Sequence, residues 1–211
     1  MFEIEKLFVQ NNDIKLEAEY FQSKSKKKPA VLLCHPHPQF GGNMWNNVVS
    51  GVFETLIQAD ISSMRFNFRA TGHSTGTHGD GEEERSDVKA CIDFLINKKK
   101  IEKILICGYS YGAAVGCSVI NYSEKIIGYV AIAFPFDFMG TYFKEKAQTE
   151  KPKLFIQGTR DFIANYSSFK KHYEFFKEPK KFEILEGADH FFGGFEEKIG
   201  KIVLDFYKSL I

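Results

Sequence analysis

The sequence lacks most of the features that mark secreted, membrane-spanning or metal-clustering proteins. Its 211 residues include only four cysteines, all in apolar segments and without CxxC spacing, so neither a disulfide framework nor a zinc pattern is indicated. No apolar run reaches the roughly 18 residues of a membrane span, and the first ten residues alternate apolar and polar, unlike a signal peptide. We therefore expect a cytoplasmic protein without a membrane partner.

Charge of one sign is lacking too. The formal net charge is +1 at pH 7, so no field is expected that would draw the protein to nucleic acid or anionic lipid. The basic run SKSKKK, residues 23–28, has no interleaved aromatics and is predicted to be a solvated loop. With 44% hydrophobic and 26% charged residues, the chain fits a single domain over 1–211 that acts on a small molecule.

Arginine is scarce, since only four of the 28 basic residues are arginines. A planar guanidinium forms two parallel hydrogen bonds with a carboxylate, a geometry that lysine cannot copy. Arg65 and Arg69 are therefore predicted to hold bidentate pairs with acids such as Glu84 or Asp87.

Hydrophobic periodicity predicts a sheet covered by helices on both faces. Residues 2–9 and 14–21 alternate apolar and polar around a turn, which indicates an antiparallel hairpin. From Ala30 onward, short apolar runs alternate with segments of helical period, as in parallel strands buried on both faces. Strands are predicted at 30–34, 61–68, 103–109, 126–134, 153–158 and 181–187, and helices at about 44–58, 82–97, 111–121, 162–177 and 194–210. The fold class is thus α/β, with a mostly parallel eight-stranded sheet.

The segment GYSYG, residues 108–112, is the strongest catalytic motif. It matches G-x-S-x-G between a predicted strand and a predicted helix, which is the context of a nucleophile elbow. Glycine suits this sharp turn because a side chain would collide with the neighbouring strand and helix. Ser110 is the predicted nucleophile, and the N–H of Tyr111, at a helix N-terminus, is predicted to donate to an oxyanion.

A serine nucleophile needs a histidine as base and an acidic residue to orient it. In chains with a nucleophile elbow, the acidic residue follows the serine in the sequence and the histidine comes after both. Of the six histidines, only His190 lies between the last strand and the last helix. The predicted acid is Asp161, just beyond the end of a strand, where it would accept a hydrogen bond from the imidazole and fix its tautomer. Asp137, after an earlier strand, is the competing acid, and Asp189 is a less favourable one.

The loop HPHPQFGG, residues 35–42, follows the first parallel strand, where such enzymes place a second oxyanion donor. Proline has no N–H, so the N–H of His37 is the preferred donor, with that of Gln39 second. A metal site is an alternative use of the loop histidines, although acidic ligands at recognisable spacing are missing. That site would draw on His35 and His37 with His73 or His78. No metal or other cofactor is expected.

The motifs HPHPQFGGNMWN, RFNFRATGHSTG, GYSYG, GTRD and GADHFFGG resemble, in this order, blocks of the α/β-hydrolase superfamily. Within it, the chain is similar to the small dienelactone-hydrolase-like enzymes and esterases over about residues 30–195. The resemblance implies the α/β-hydrolase fold and supports the roles assigned to the site residues. These are Ser110, Asp161 and His190 as the catalytic triad and the backbone of His37 and Tyr111 as the oxyanion hole. Dienelactone hydrolases proper use a cysteine nucleophile, so a serine here argues against dienelactone as substrate.

The expected reaction is hydrolysis of a small carboxylic ester or thioester through an acyl-enzyme. About 18 residues separate two predicted strands at 135–152, too few for a large cap, so an open pocket for short acyl chains is expected. Apolar side chains at strand ends are predicted to line it, namely Phe136, Phe138, Met139, Phe162 and Phe191. Two alternatives stand beside this: a peptidase or thioesterase of the same fold, and a non-catalytic scaffold or ligand-binding module.

Overall fold

The computed structural model describes residues 2–25 and 28–211, so Lys26 and Lys27 of the basic run lie outside it. One sheet contains eight strands in the order β1-β2-β4-β3-β5-β6-β7-β8. The strands are β1 (Ile4–Asn11), β2 (Ile14–Phe21), β3 (Ala30–Cys34), β4 (Ser63–Phe66), β5 (Ile104–Tyr109), β6 (Ile126–Ile132), β7 (Lys153–Gly158) and β8 (Lys180–Leu185). The helices are α1 (Asn47–Gln58), α2 (Glu82–Asn97), α3 (Tyr111–Cys117), α4 (Phe136–Lys146), α5 (Tyr166–Phe175) and α6 (Glu196–Lys208).

Strand directions follow the predicted plan. The β1–β2 hairpin is antiparallel, and β2 also pairs antiparallel with β4. Every pairing from β4 through β3, β5, β6 and β7 to β8 is parallel. The mostly parallel sheet with an antiparallel hairpin at its start is therefore confirmed. Because the carboxyl ends of parallel strands meet at one edge, the loops that follow β3, β5, β7 and β8 are brought together there.

Helices cover both faces of the sheet, as predicted. Apolar side chains of α2, α3, α4 and α5 pack in one buried cluster on one face. Those of α1 and α6 form the cluster on the other face. The central strands β3 and β5 are buried along their whole length, which explains their continuous apolar runs.

The helix α4 is an element that periodicity did not predict. Its backbone leaves the helical region at Gly140, where φ is 74° and ψ −178°. Each piece of the helix is therefore too short to show a 3.6-residue pattern in the sequence. The strand predicted at 61–68 is also shorter, since β4 spans only Ser63–Phe66.

Arg65 and Arg69, for which ion pairs were predicted, each form a buried ion pair. Arg69 forms the expected bidentate pair with Asp87, with Nη2 2.8 Å from Oδ1. Arg65 was predicted to bind an acid at the start of α2, and this is wrong: it donates to Glu19 of β2, at 2.6 Å. The reason is the register of the sheet, which sets Arg65 of β4 directly opposite Glu19.

All four cysteines are buried and unpaired. Across the part of the chain that the structure describes, no helix has both the length and the apolar character to cross a bilayer.

Candidate active site

Ser110 lies in the turn from β5 into α3, in a backbone conformation that side chains rarely adopt. Its φ is 54° and its ψ is −120°. A Cβ on Gly112 would lie 2.3 Å from the carbonyl oxygen of Cys34, and one on Gly108 would lie 2.2 Å from that of Gly112. Only glycine permits such close packing of the turn against β3 and α3. The surrounding chain thus enforces the strained turn and presents the Ser110 hydroxyl to a cavity.

His190 is within hydrogen-bond distance of this hydroxyl. The distance from its Nε2 to Ser110 Oγ is 2.8 Å, and that from its Nδ1 to Asp161 Oδ2 is 2.9 Å. A carboxylate can only accept, so Nδ1 carries the proton and Nε2 is left to accept from the serine. The three predicted triad residues therefore form one continuous hydrogen-bonded series, built from the segments that follow β5, β7 and β8.

Backbone groups fix the Asp161 carboxylate in place. Its side chain is fully buried, and its Oδ1 accepts from the N–H groups of Ile163 and Ala164, at 2.9 and 2.8 Å. One oxygen is thus held by the loop while the other faces the imidazole. The orientation of the imidazole is fixed by the carboxylate in turn.

A hydrogen bond from Tyr109 fixes the loop that carries His190. The Tyr109 hydroxyl donates to the carbonyl oxygen of His190, at 2.6 Å. Burial raises the pKa of Tyr109, so this hydroxyl stays protonated and remains a donor at neutral pH. The last residue of β5 therefore positions the histidine next to the serine that follows it in the chain.

The two competing acids have other partners. The Asp137 carboxylate accepts from Ser168 Oγ at 2.6 Å and lies 2.9 Å from Nε2 of His172, which ties α4 to α5. The Asp189 carboxylate accepts from the backbone N–H groups of the two residues after His190. Among the described residues, Asp161 is thus the acid hydrogen-bonded to the His190 ring.

The two residues predicted to supply the oxyanion hole are neighbours in the structure. The rings of His37 and Tyr111 have centroids 4.6 Å apart, and both residues line the cavity beside Ser110. Tyr111 is the first residue of α3, so its N–H has no acceptor within the helix. The N–H of Gln39, the second candidate, donates instead to Nδ1 of His37. Within the described chain, neither His37 nor Tyr111 has an acceptor for its N–H.

The remaining histidines of the metal alternative have structural partners. Nε2 of His35 accepts from the N–H of Phe68 at 3.0 Å, so its Nδ1 is protonated and donates to the carbonyl of Pro36. Both of its ring nitrogens are therefore in use. His73 lies against Glu17, and His78 against Glu84. No group of three His, Cys, Asp or Glu side chains arranged to hold a metal occurs in residues 2–25 and 28–211.

A cavity of about 590 Å³ opens at Ser110. Four of the five side chains predicted for a pocket line it, namely Phe138, Met139, Phe162 and Phe191. The prediction for Phe136 is wrong: this ring is only 6% exposed and stacks on Phe134 with centroids 4.3 Å apart. As the first residue of α4, it points into the core rather than towards the cavity.

Phe40 and Ile163 line the cavity and were missed. Phe40 stands in the HPHP loop, and Ile163 follows Asp161 by two positions. In the HPHP loop only polar groups were predicted to act in the site, and in the loop after Asp161 only Phe162 was predicted to line a pocket. The available signal in both loops was an apolar residue within three positions of a predicted site residue.

Known proteins resemble the chain over nearly its whole length. A family model described as an alpha/beta hydrolase domain matches residues 27–199. The uncharacterized protein RP471 of Rickettsia prowazekii (strain Madrid E) is 30% identical over 199 residues, covering 91% of this chain and 84% of the relative.

Solved structures agree with this match. An alpha-beta serine hydrolase homologue from Coxiella burnetii has a TM-score of 0.86 and 28% identity, covering 100% of this chain and 99% of its own. XC6422 from Xanthomonas campestris, described as an α/β serine hydrolase without lid, has a TM-score of 0.84 and 22% identity over 98% and 94% of the two chains. The elbow, the sheet and these matches lead to one conclusion: the chain belongs to the α/β-hydrolase family and is a hydrolase.

Proposed function

We propose that the protein is a serine esterase that cleaves small carboxylic esters through an acyl-enzyme. The observation that carries the proposal is the hydrogen-bonded series from Ser110 Oγ through His190 to Asp161, at 2.8 and 2.9 Å, beside an open cavity. A scaffold or ligand-binding module would not need these three groups in register. The 28% identity with a serine hydrolase homologue over the full chain also supports catalysis by serine.

In the acylation step, Ser110 Oγ attacks the ester carbonyl carbon while its proton passes to Nε2 of His190. Asp161 stabilises the imidazolium that forms. The carbonyl oxygen becomes an oxyanion, which the free N–H groups of His37 and Tyr111 would stabilise. One such donor contributes about 10²–10³-fold to the rate. The oxyanion then collapses to the acyl-enzyme and the bond to the alcohol oxygen breaks. The imidazolium protonates this leaving oxygen, so that the product departs as an alcohol.

In the deacylation step, a water molecule replaces the alcohol. His190 accepts a proton from the water, whose oxygen attacks the acyl carbon and forms a second oxyanion in the same hole. Collapse of this intermediate breaks the bond to Ser110 Oγ, and the proton on Nε2 returns to the serine. The carboxylic acid is released and the resting hydrogen bonds form again.

The proposal includes a cytoplasmic location, which the four unpaired, buried cysteines support. We also propose that the protein belongs with the dienelactone-hydrolase-like enzymes. Ser110 would then replace the cysteine nucleophile of the dienelactone hydrolases proper.

Labelling with a fluorophosphonate tests the nucleophile. The wild type is expected to be labelled and to lose activity on p-nitrophenyl acetate, and Ser110→Ala to show neither labelling nor turnover. Ser168→Ala is the matched control, because Ser168 also lies in a cluster of serine, histidine and aspartate, with Asp137 and His172. Labelling of Ser110→Ala at the wild-type rate would show that another group reacts.

A pair of aspartate variants tests the acid. Asp161→Asn is expected to lower kcat by about 10⁴-fold, because the amide no longer holds the imidazole tautomer with Nε2 free to accept. Asp137→Asn changes the same chemical group on α4, where it binds His172 and not His190, and is expected to turn over at nearly the wild-type rate. Both are measured by steady-state kinetics, and loss of turnover in Asp137→Asn alone would contradict the assignment.

A further inference from the structure

Among the described residues, no side chain that is charged at neutral pH lines the cavity at Ser110. Its walls consist of aromatic, aliphatic, methionine, glycine and proline residues together with the polar groups of Ser110, His190, His37 and Asn46. Burial and the neighbouring His78 lower the pKa of His37, so this ring is neutral at neutral pH. A carboxylate or ammonium group bound here would lose water without gaining an ionic partner, which is costly.

Exposed aromatic rings surround the mouth of the cavity. The exposed fractions are 88% for Phe162, 78% for Phe40, 65% for Phe191 and 62% for Phe138. Single exposed rings are ordinary on a protein surface, but these four line one cavity together with Ser110, and we call them its apolar rim. Such a rim is typical of a surface that is covered when an apolar ligand binds.

The rim divides into two sides. Phe40 and Phe138 lie against His37, with ring centroids 4.9 and 6.5 Å from its own. Phe191 lies against His190, at 5.9 Å, and Phe162 directly follows Asp161 in the chain. One side is thus next to the proposed oxyanion hole, and the other is next to the proposed general acid.

The chemistry of the proposed reaction assigns a part of the substrate to each side. His190 must protonate the leaving oxygen, so the alcohol part has to lie on the His190 side. The acyl part then extends to the other side, between the HPHP loop and α4. The contact between the Asp137 carboxylate and the His172 ring ties α4 to α5 and so holds the α4 side of the cavity in place.

We infer that the substrates are uncharged esters with an apolar group on each side of the ester bond, the acyl part against Phe40 and Phe138 and the alcohol part against Phe162 and Phe191. The inference rests on the proposed function. It replaces the short acyl chains expected from the sequence. Coenzyme A thioesters are expected to be poor substrates, because no lysine or arginine of residues 2–25 and 28–211 lines the cavity to meet their phosphates.

Two ester series test the two sides in the wild type, each by kcat/KM. The acyl series compares p-nitrophenyl octanoate with p-nitrophenyl acetate, and the alcohol series compares phenethyl acetate with ethyl acetate. A buried methylene is worth about fourfold, so burial of two or more is expected to favour the larger ester by about tenfold or more in each series. A ratio near one in both series would overturn the inference.

Reciprocal variants test the assignment of sides. Phe138→Ala is expected to lower the octanoate-to-acetate ratio about fourfold or more and to leave the phenethyl-to-ethyl ratio as in the wild type. Phe162→Ala is expected to lower the phenethyl-to-ethyl ratio about fourfold or more and to leave the octanoate-to-acetate ratio as in the wild type. Phe8→Ala is the matched control, since Phe8 is a 54% exposed ring on the edge strand β1, outside the cavity. Equal effects of both rim variants on both ratios, or exchanged effects, would contradict the assignment.

Charged esters complete the test. The p-nitrophenyl monoester of succinic acid carries an anionic acyl group and is expected to react at least tenfold more slowly than p-nitrophenyl butyrate. Equal rates would contradict a cavity selective for neutral groups. Failure of this inference is distinct from failure of the proposed function: Ser110-dependent hydrolysis of p-nitrophenyl acetate tests the latter by itself.

Discussion

His35 is a histidine whose two hydrogen bonds require the neutral form. It is fully buried, accepts from the N–H of Phe68 through Nε2 and donates to the carbonyl of Pro36 through Nδ1. Burial lowers its pKa to about 3, from about 6.5 in an unfolded chain. The side chain thus joins β3, the HPHP loop and the end of β4 without carrying charge.

This histidine makes the stability of the fold depend on pH. Between pH 6.5 and 3 the unfolded chain binds a proton at His35 that the folded chain excludes, so its contribution is complete above pH 6.5 and is lost as the pH falls towards 3. We expect the free energy of unfolding in urea to fall by up to about 1.4 kcal/mol per pH unit because of this group.

The measurement compares wild type with His35→Gln between pH 7 and 4.5. The variant is expected to start less stable but to lose less stability per pH unit. An unchanged slope in His35→Gln would show that other groups set the acid sensitivity.

The role of a single residue could be predicted from the sequence where that role follows from its place at the end of a strand. Ser110 and Asp161 each stand just after a strand with a clear apolar run. His190 follows KFEILEG, in which charged residues interrupt the apolar ones, but its place after the last strand still allowed the convergence of the three to be predicted. Phe136 could not be assigned in this way, because whether the first residue of a helix points into the core or the cavity depends on how the helix packs.

The N-terminal turn of α2 supports the residues proposed for the oxyanion hole. Glu84, fully buried, accepts from the N–H groups of Gly79 and Gly81 at 2.8 and 2.9 Å, and its Oε1 lies 3.1 Å from Nδ1 of His78. The His78 ring in turn packs on His37, with centroids 5.2 Å apart. A buried carboxylate thus orders the loop that backs the HPHP segment.

Removal of this support is expected to affect the transition state more than the bound ester. His78→Ala would let the His37 backbone shift, and we expect kcat on p-nitrophenyl acetate to fall about tenfold with a smaller change in KM, since the oxyanion exists only after attack. Glu83→Ala, in the same turn of α2, is the control. A rise in KM with unchanged kcat would instead indicate a role in ester binding.

The ends of a helix were predicted best where the sequence marks them most clearly. The helix α2 begins and ends as predicted, at 82 and 97, because acidic residues mark its first turn and apolar residues repeat along it. The helix α3 ends at Cys117 instead of 121, since the residues after it continue in shorter turns with bonds over three residues. The break at Gly140 hid α4 altogether.

Asp87 connects distant parts of the molecule. Its buried carboxylate accepts from the backbone and side chain of Arg69 after β4 and from the side chain of Asn11 at the end of β1. It thereby links α2, the hairpin and the centre of the sheet. The sequence predicted the arginine pair but not the third partner, which depends on where the hairpin folds back.

Loss of this carboxylate is expected to weaken the entire fold. Asp87→Ala leaves the Arg69 guanidinium buried without its counter-ion, a change that costs about 3–5 kcal/mol in such pairs. Asp93→Ala, on the same helix but at the surface, removes a single bond from Tyr122 and is expected to cost about 1 kcal/mol or less. Urea unfolding followed by circular dichroism measures both, and equal losses would contradict a central role for Asp87.

The proposed triad is spread over the last three parallel pairings of the sheet. Ser110 follows β5, Asp161 follows β7 and His190 follows β8, and β6 lies between the first two of these strands. A refolding chain can therefore possess a finished elbow and still be inert, because its base arrives only when β8 pairs with β7. The first turnover during refolding would thus report that β8 has paired with β7, whatever the order of the other pairings.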